Sequence, residues 1–297
     1  MAAVSRAPAC ETARNRRLEV RGLDLHILEW GPPGRSGVLL LHGGAAHAHW
    51  FDAVATDLGD QRHVVALDQR GHGESGWASP PAYATEDFAA DVVGVLGALG
   101  WDSAVLTGHS MGGHNAIGCA AWYPERVRGL VIVDSRPAIP AERLAQMKER
   151  GARPHRRHSS VEAAAASFRL LPPETRADPA LLSHVARAGV TWQDGAVSLR
   201  FDPACYAARV PADGWQLVPR ISAPTLVVRG ELSPILTRPM AERLRAEISG
   251  ARIAEIPGAY HHVVLDRPDA FVHEVRGFLD DLDARGAPAA PRQASAS

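Results

Sequence analysis

A serine with glycine two residues before it and two residues after it stands between an apolar run and a helix-forming run. The pattern is Gly108-His109-Ser110-Met111-Gly112, with Ala104-Val105-Leu106 ahead of it and residues 116–121 behind it. Strand, sharp turn and helix around Gly-x-Ser-x-Gly expose a serine hydroxyl on a strained backbone, where it can act as a nucleophile. The two glycines let the strand and the helix pass closely. The sequence therefore predicts Ser110 as a covalent nucleophile.

A serine hydroxyl needs a base to take its proton, and the chain offers a histidine pair far down the sequence. His261 and His262 follow a strand that ends near Ile256. This is the edge of the sheet where open α/β proteins place their sites. After a strand–turn–helix serine, the partners follow in the order acid, then histidine. We predict His261 as the base, with His262 packing or capping the next turn.

The acid that orients the imidazole should also stand at the carboxyl end of a strand, and two residues qualify. Asp134 directly follows Val131-Ile132-Val133, and Glu231 follows Val228-Arg229-Gly230. A short aspartate loses less conformational entropy than a glutamate when it holds an imidazole. This favours Asp134, with Glu231 as the alternative acid.

Two backbone N–H groups are expected to bind the oxyanion. One belongs to Met111, next after the nucleophile, and the other to Gly44, in the loop after the strand at residues 38–41. His42 precedes the serine in the chain, so we expect it to hold this loop rather than to act as the base. Candidates for the substrate pocket are His47, His49, Trp50, His109, Trp192 and Trp215, although core packing is the favoured interpretation for the two later tryptophans.

No metal or organic cofactor is predicted. Asp68, Arg70 and His72 lie in a polar, glycine-rich loop, but their spacing matches no metal-ligand pattern. We expect this loop to brace the top of the sheet. An acyl-enzyme route needs only protein groups and water.

Apolar runs alternating with helical patterns predict a mostly parallel sheet with helices on both faces. The runs are residues 38–41, 63–67, 104–106, 129–133, 225–230 and 251–256, after an edge hairpin at residues 18–28. This alternation of apolar runs and helical patterns stops at Pro137 and resumes near residue 221. The predicted organisation is a flexible leader (1–16), a core domain (17–136 and 221–283), a helical cap domain inserted after the sixth core strand (137–220) and a disordered tail (284–297).

Composition narrows the class of protein. Of 297 residues 46% are hydrophobic, enough for a large core, and the formal net charge of -1 gives no sign of a nucleic-acid or membrane partner. No apolar run is long enough to span a bilayer, and residues 1–17 lack the apolar region of a secretion signal. Cys10, Cys119 and Cys205 form no disulfide framework, which suits a cytoplasmic protein. The expected partner is a small-molecule substrate, with a homodimer left open.

The motifs together resemble those of the capped α/β-hydrolases. They are Gly108-His109-Ser110-Met111-Gly112-Gly113, His42-Gly43-Gly44, Asp68-Gln69-Arg70-Gly71-His72-Gly73-Glu74-Ser75 and Pro257-Gly258-Ala259-Tyr260-His261. The resemblance implies the α/β-hydrolase fold, Ser110 as nucleophile, His261 as base, and Met111 and Gly44 as oxyanion donors. The chain departs from the family in two places. Ser233-Pro234 stands where many members carry the acid, which moves that role to Asp134, and Tyr260 replaces a common glycine before the histidine.

Three functions are compatible with these residues. The first is a serine hydrolase that cleaves an ester, lactone or thioester through a Ser-His-Asp triad. The second is cleavage of a C–C bond, or perhydrolysis, on the same fold, because fold alone does not separate these reactions. The third is a non-catalytic ligand-binding homologue, against which the complete set of residues argues.

Overall fold

The computed structural model describes residues 13–33 and 37–286 and is built around one eight-stranded sheet. The strands are β1 (Arg14–Val20), β2 (Leu23–Trp30), β3 (Gly37–Leu41), β4 (His63–Leu67), β5 (Tyr83–Ala84), β6 (Ala104–His109), β7 (Val127–Val133), β8 (Val190–Gln193), β9 (Ala196–Leu199), β10 (Arg209–Val210), β11 (Thr225–Gly230) and β12 (Arg252–Ile256). The large sheet has the order β1-β2-β4-β3-β6-β7-β11-β12. Its first two strands form an antiparallel hairpin and the other six are parallel to one another. The predicted mostly parallel sheet is confirmed.

Helices cover both faces of this sheet. The α-helices of the described residues, including those of the insertion before β11, are α1 (Asp52–Gly59), α2 (Thr85–Ala98), α3 (Met111–Trp122), α4 (Ala141–Gly151), α5 (Val161–Ala166), α6 (Pro179–Ala188), α7 (Ala204–Ala207), α8 (Gly214–Leu217), α9 (Arg238–Glu247), α10 (Val263–Asp266) and α11 (Pro268–Gly286). Alternate residues of β3 enter opposite cores, since Val38 and Leu40 pack with α1 and α11 while Leu39 and Leu41 pack with α2, α3 and α9. A strand buried on both faces must be apolar throughout, which explains its unbroken run.

Residues 137–220, called here the cap segment, lie between β7 and β11 and carry α4 to α8. The expectation of a helical insertion omitted an antiparallel hairpin of β8 and β9 and the short pairing of β10 with β5. The hairpin turns at Asp194-Gly195, both with positive φ (50° and 75°). Asp-Gly is a strong signal for such a turn, and its flanking strands are short and largely exposed, so their alternation is weak.

Two predicted boundaries need correction. The edge strand β1 begins at Arg14, so residues 14–16 belong to the sheet and not to a leader. The side chains of residues 14–16 are exposed, so no apolar pattern marks this part of the strand in the sequence. The strand is held by backbone pairing with β2, in which Arg14 lies opposite Glu29. The last helix continues to Gly286, into the predicted tail. The rest of the predicted leader, up to residue 12, and residues 287–297 of the predicted tail lie outside the described residues.

None of the described helices is long and apolar enough to cross a membrane.

Candidate active site

The turn between β6 and α3 has the strained geometry that its sequence predicts. Ser110 has φ 52° and ψ −116°, and its N–H donates to the Val133 carbonyl at 3.0 Å. A Cβ on Gly108 would lie 2.3 Å from the Gly112 carbonyl oxygen, and one on Gly112 would lie 2.2 Å from that of Leu41. Only glycine fits at either position, so strand and helix approach as expected.

Three side chains from three strand ends meet at this turn. His261 Nε2 lies 3.1 Å from Ser110 Oγ, and His261 Nδ1 lies 2.9 Å from Asp134 Oδ1. Nδ1 therefore donates to the carboxylate, which leaves Nε2 free to accept the serine proton. Ser110 keeps partial access to solvent, while His261 and Asp134 are buried.

Asp134 is held by groups from the next strand. Its Oδ2 accepts the Gly230 N–H at 2.9 Å, and its Oδ1 accepts the Ser233 hydroxyl at 2.6 Å. Asp134 has φ 43°, a left-handed conformation that is costly for a residue with a side chain. Ser233, in the loop after β11, thus holds Asp134, the predicted acid at the end of the neighbouring strand. The sequence showed the departure at Ser233 but not this contact.

Glu231, the alternative acid, does not reach the imidazole. Its side chain is exposed, and Oε2 accepts the Gly258 N–H at 2.8 Å. It therefore ties β11 to the loop that carries His261. The structure places Asp134, not Glu231, against His261.

Burial dominates the electrostatics of the pair. Burial lowers the pKa of His261 well below its usual value, and the charges of His262, Arg136 and Arg143 act in the same direction. Burial also raises the pKa of Asp134 to about 6, against the hydrogen bonds from Ser233 and Gly230. The imidazole is thus neutral and the carboxylate ionised at pH 7 and above, which is the state a general base requires.

The loop after β3 presents a backbone donor next to the nucleophile. His42 Nε2 accepts the Gln69 N–H at 3.0 Å, so its proton is on Nδ1, which donates to the Gly43 carbonyl at 2.7 Å. Burial lowers the pKa of His42 to about 4, which keeps this ring neutral. Because C=O and N–H of one trans peptide point in opposite directions, fixing the Gly43 oxygen also fixes the direction of the Gly44 N–H.

The Met111 N–H opens helix α3, where the first amides have no partner within the helix. Within residues 13–33 and 37–286, neither this group nor the Gly44 N–H donates to a protein acceptor. Both are therefore available to a substrate oxygen.

The polar loop after β4 braces the sheet, as expected. Asp68 Oδ2 lies 2.8 Å from His26 Nδ1, and Asp68 Oδ1 accepts the Ala48 N–H at 2.6 Å. Arg70 is paired with the buried Asp91, with 2.5 Å between Nε and Oδ2.

Four predicted pocket residues make structural contacts; His47, Trp50 and His109 are buried, and His49 is partly buried. His109 Nε2 donates to the His261 carbonyl at 3.0 Å, and the Trp50 ring lies over His109 with 6.2 Å between centroids. His47 donates to the Val185 carbonyl of the cap segment at 2.9 Å. His49 contacts Asp52, with 2.9 Å between Nδ1 and Oδ2.

The other two predicted pocket residues are elsewhere. Trp192 is 59% exposed on the β8–β9 hairpin. Trp215 packs toward α9, where the Arg243 guanidinium lies 3.8 Å above its ring. The aromatic side chain that does lie over the oxyanion loop is Tyr206 of α7, whose hydroxyl is 3.2 Å from the position of a Cβ on Gly44.

Two groups of side chains in the described residues have ligand atoms within 4.8 Å of one another: His109, His261 and His262, and His49, Asp52 and His184. The first contains the histidine that contacts Ser110. In the second, both imidazoles hydrogen-bond to Asp52 Oδ2, at 2.9 and 2.6 Å, and join core to cap segment.

This fold and this site define a class of enzyme. The chain belongs to the alpha/beta hydrolase fold family, whose model matches residues 38–268. It is a hydrolase of that fold.

Similar proteins carry hydrolase and esterase names. The chain is 29% identical over 274 residues to 2-(acetamidomethylene)succinate hydrolase of Mesorhizobium japonicum, covering 90% of this chain and 95% of that protein. It is 32% identical over 272 residues to Esterase Rv0045c of Mycobacterium tuberculosis, covering 86% of each. The crystal structure of E-2-(acetamidomethylene)succinate hydrolase matches with a TM-score of 0.78 at 27% identity, over 90% of this chain and 99% of the other.

Proposed function

We propose that the protein is a serine hydrolase that cleaves an ester, lactone or thioester of a small to medium organic substrate. One observation carries the proposal: His261 bridges Ser110 Oγ at 3.1 Å and Asp134 Oδ1 at 2.9 Å. A relative named as an esterase supports the same class of reaction.

The reaction follows from the positions of these groups. Ser110 Oγ attacks the substrate carbonyl as His261 Nε2 takes its proton, and Asp134 stabilises the resulting imidazolium. The N–H groups of Gly44 and Met111 donate to the oxyanion. The imidazolium then protonates the leaving group, and water, activated by the same imidazole, releases the acid from Ser110.

Hydrolysis of 4-nitrophenyl butanoate tests this proposal. Ser110→Ala removes the nucleophile and should lower kcat by about 10⁴-fold or more. Ser249→Ala, at an exposed serine after α9, serves as the matched control and should retain the wild-type rate. Equal rates for Ser110→Ala and wild type would contradict the proposal.

The same triad could instead cleave the C–C bond of a diketone-like substrate, or pass an acyl group to hydrogen peroxide. Both alternatives keep Ser110 and His261 in place and differ in the substrate or acceptor. A panel of esters, lactones and diketones, with water or peroxide as acceptor, separates them. A purely ligand-binding homologue would turn over none of these, and its Ser110 would not react with a fluorophosphonate.

A further inference from the structure

One cluster of metal-ligating side chains lies outside the Ser110 site, where the cap segment meets the core. Asp52 begins α1, His49 lies just before it in the helical turn Ala48–Phe51, and His184 lies on α6. Asp52 Oδ2 is 2.9 Å from His49 Nδ1 and 2.6 Å from His184 Nε2. The three ligand atoms all lie within 4.8 Å of one another. The fold therefore brings two imidazoles and one carboxylate, from the core and from the cap segment, to a single point.

Hydrogen bonding leaves the Asp52 carboxylate half satisfied. Its Oδ2 is shared by both imidazoles, whereas its Oδ1 is buried and has no hydrogen-bond partner among the described residues. Asp52 is only 1% exposed, and a buried polar oxygen without a partner costs stability. A bound cation would offset the charge of the whole carboxylate, whereas an imidazole N–H serves one oxygen. The unpartnered Oδ1 therefore favours a cation at this point over hydrogen bonds alone.

The donor atoms and their spacing match a divalent transition metal. Imidazole nitrogen and carboxylate oxygen are common Zn²⁺ ligands, and bonds of about 2.0–2.1 Å place the ligand atoms of a tetrahedral ion roughly 3.3 Å apart. The two contacts of Asp52 Oδ2 are slightly shorter than this, and the two nitrogens are no more than 4.8 Å apart. Side-chain shifts of about 1–2 Å are therefore enough to place an ion among the three atoms.

An ion can reach this cluster from solvent. The side chains of His49 and His184 are 23% and 21% exposed, whereas that of Asp52 is fully buried. Solvent therefore reaches the nitrogen side of the cluster, and water can take the fourth position of a tetrahedral ion. Each ring would bind the ion as a neutral imidazole and carry its proton on its other nitrogen.

We propose that His49 Nδ1, Asp52 Oδ2 and His184 Nε2 bind a divalent transition-metal ion such as Zn²⁺, and that this ion fastens the cap segment to the core. The sequence predicts no metal here, because His184 lies 132 residues from Asp52 along the chain. The proposal is independent of the serine hydrolysis, since the site uses neither Ser110 nor His261. The ion stabilises the closed position of α6 and takes no part in the attack on the substrate.

Calorimetric titration of Zn²⁺ into the metal-stripped, full-length protein tests the site. We expect one ion per chain with a Kd of about 10 μM or below. A Zn²⁺ concentration about a hundredfold above Kd should raise Tm by about 4 °C or more, because the ion binds the folded arrangement of the ligands, and EDTA should reverse the rise. Co²⁺ in place of Zn²⁺ should give the visible absorption of a tetrahedral ion. Weaker Zn²⁺ binding, or a Tm that Zn²⁺ leaves unchanged, would overturn the proposal.

Variants assign the ion to these three side chains. Asp52→Asn and His184→Gln should each weaken Zn²⁺ binding by at least about tenfold and abolish most of the rise in Tm, because each loses a ligand. His49→Gln, like His184→Gln at a partly exposed position, keeps the test available if Asp52→Asn does not fold. Circular dichroism confirms that each variant is folded before titration.

Two further histidines provide the controls. His273→Gln removes an exposed imidazole of α11, and His262→Gln removes one member of the other histidine group. Both folded variants should bind Zn²⁺ as the wild type does. Undiminished binding in the ligand variants, or a loss in folded His262→Gln or His273→Gln that equals theirs, would place the ion elsewhere and contradict the proposal.

Discussion

The core sheet and the cap segment are held in place by different kinds of contact. Strands β3, β4 and β11 are buried along their whole length, whereas α4 of the cap segment buries no residue. The cap segment adds a few apolar side chains to each core, such as Leu181 and Val185 of α6 to one and Leu217 and Val218 to the other. Much of its attachment is polar: His184 contacts Asp52 Oδ2 at 2.6 Å, and Arg209 donates to Asn115 at 2.9 Å.

Several of the polar attachments end on elements that carry the site. Asp52 begins the helix that follows the oxyanion loop, and Asn115 lies on α3 after Ser110. Asp266 accepts the Arg176 N–H of the cap segment and the Tyr260 N–H next to His261, both at 2.8 Å. The difference indicates a division of labour. Core contacts fix the reacting groups, so core changes should act on kcat, while cap changes should act on selectivity, KM and stability.

The largest effect in this comparison is expected at the acid. Asp134→Asn should reduce kcat by about 10³- to 10⁴-fold, because an amide N–H facing Nδ1 favours the wrong imidazole tautomer. Glu231→Gln should cost less than about fivefold, since that carboxylate holds only the Gly258 N–H. Steady-state hydrolysis of 4-nitrophenyl butanoate measures both. Equal losses would reverse the assignment of the acid.

A smaller loss is expected when the oxyanion loop is loosened. His42→Ala removes the bond that orients the Gly43–Gly44 peptide, and should lower kcat by about 10- to 100-fold, less than deletion of an oxyanion donor itself. His63→Ala is the control, because this buried histidine pairs with Glu29 at the opposite end of the sheet. A matching drop in kcat with folded His63→Ala would show that the loss is not specific to the loop.

The acid limb of the pH profile should reflect the protonation of the buried pair Asp134 and His261. Catalysis needs Asp134 ionised and His261 neutral, and both take up protons as the pH falls. Burial raises the pKa of Asp134 to about 6 and lowers that of His261 well below its usual value, so kcat/KM should be level above pH 7 and fall as the pH drops below 6. In Asp134→Asn the residual activity should lose this limb. A limb that persists near pH 6 in that variant would assign it to another group.

The smallest effect on chemistry is expected at the contact between core and cap segment. Asp52→Asn weakens the carboxylate that both His49 and His184 contact, and should cost about 1–3 kcal/mol of unfolding free energy with a modest rise in KM. His184→Gln keeps an N–H within reach and should cost less. Denaturant unfolding measures the change in unfolding free energy, and steady-state kinetics measures the change in KM. A fall in kcat beyond tenfold with KM unchanged would contradict the division of labour.

The sequence predicts the core well because its signals are local. Unbroken apolar runs are required of strands buried on both faces, and Gly108 and Gly112 are required by backbone atoms little more than 2 Å from a Cβ position. The order of serine, acid and histidine along the chain likewise limits the triad to Ser110, to Asp134 or Glu231, and to His261 or His262, and the structure brings Ser110, Asp134 and His261 together.

What the sequence misses depends on contacts across the chain. Ser233 becomes a partner of Asp134 only because β7 and β11 are neighbours in the sheet. Trp192 and Trp215 are both tryptophans of the cap segment, yet Trp192 lies on an exposed hairpin and Trp215 packs against Arg243. The composition of the cap segment does not predict these contacts.

The covalent step is the most direct test of the account. Wild-type protein treated with a fluorophosphonate should gain one phosphonyl group, mapped to Ser110 by peptide mass spectrometry, and His261→Ala should react at least about a hundredfold more slowly. A modification at another residue, or a rate that does not depend on His261, would contradict the claim that this imidazole activates Ser110.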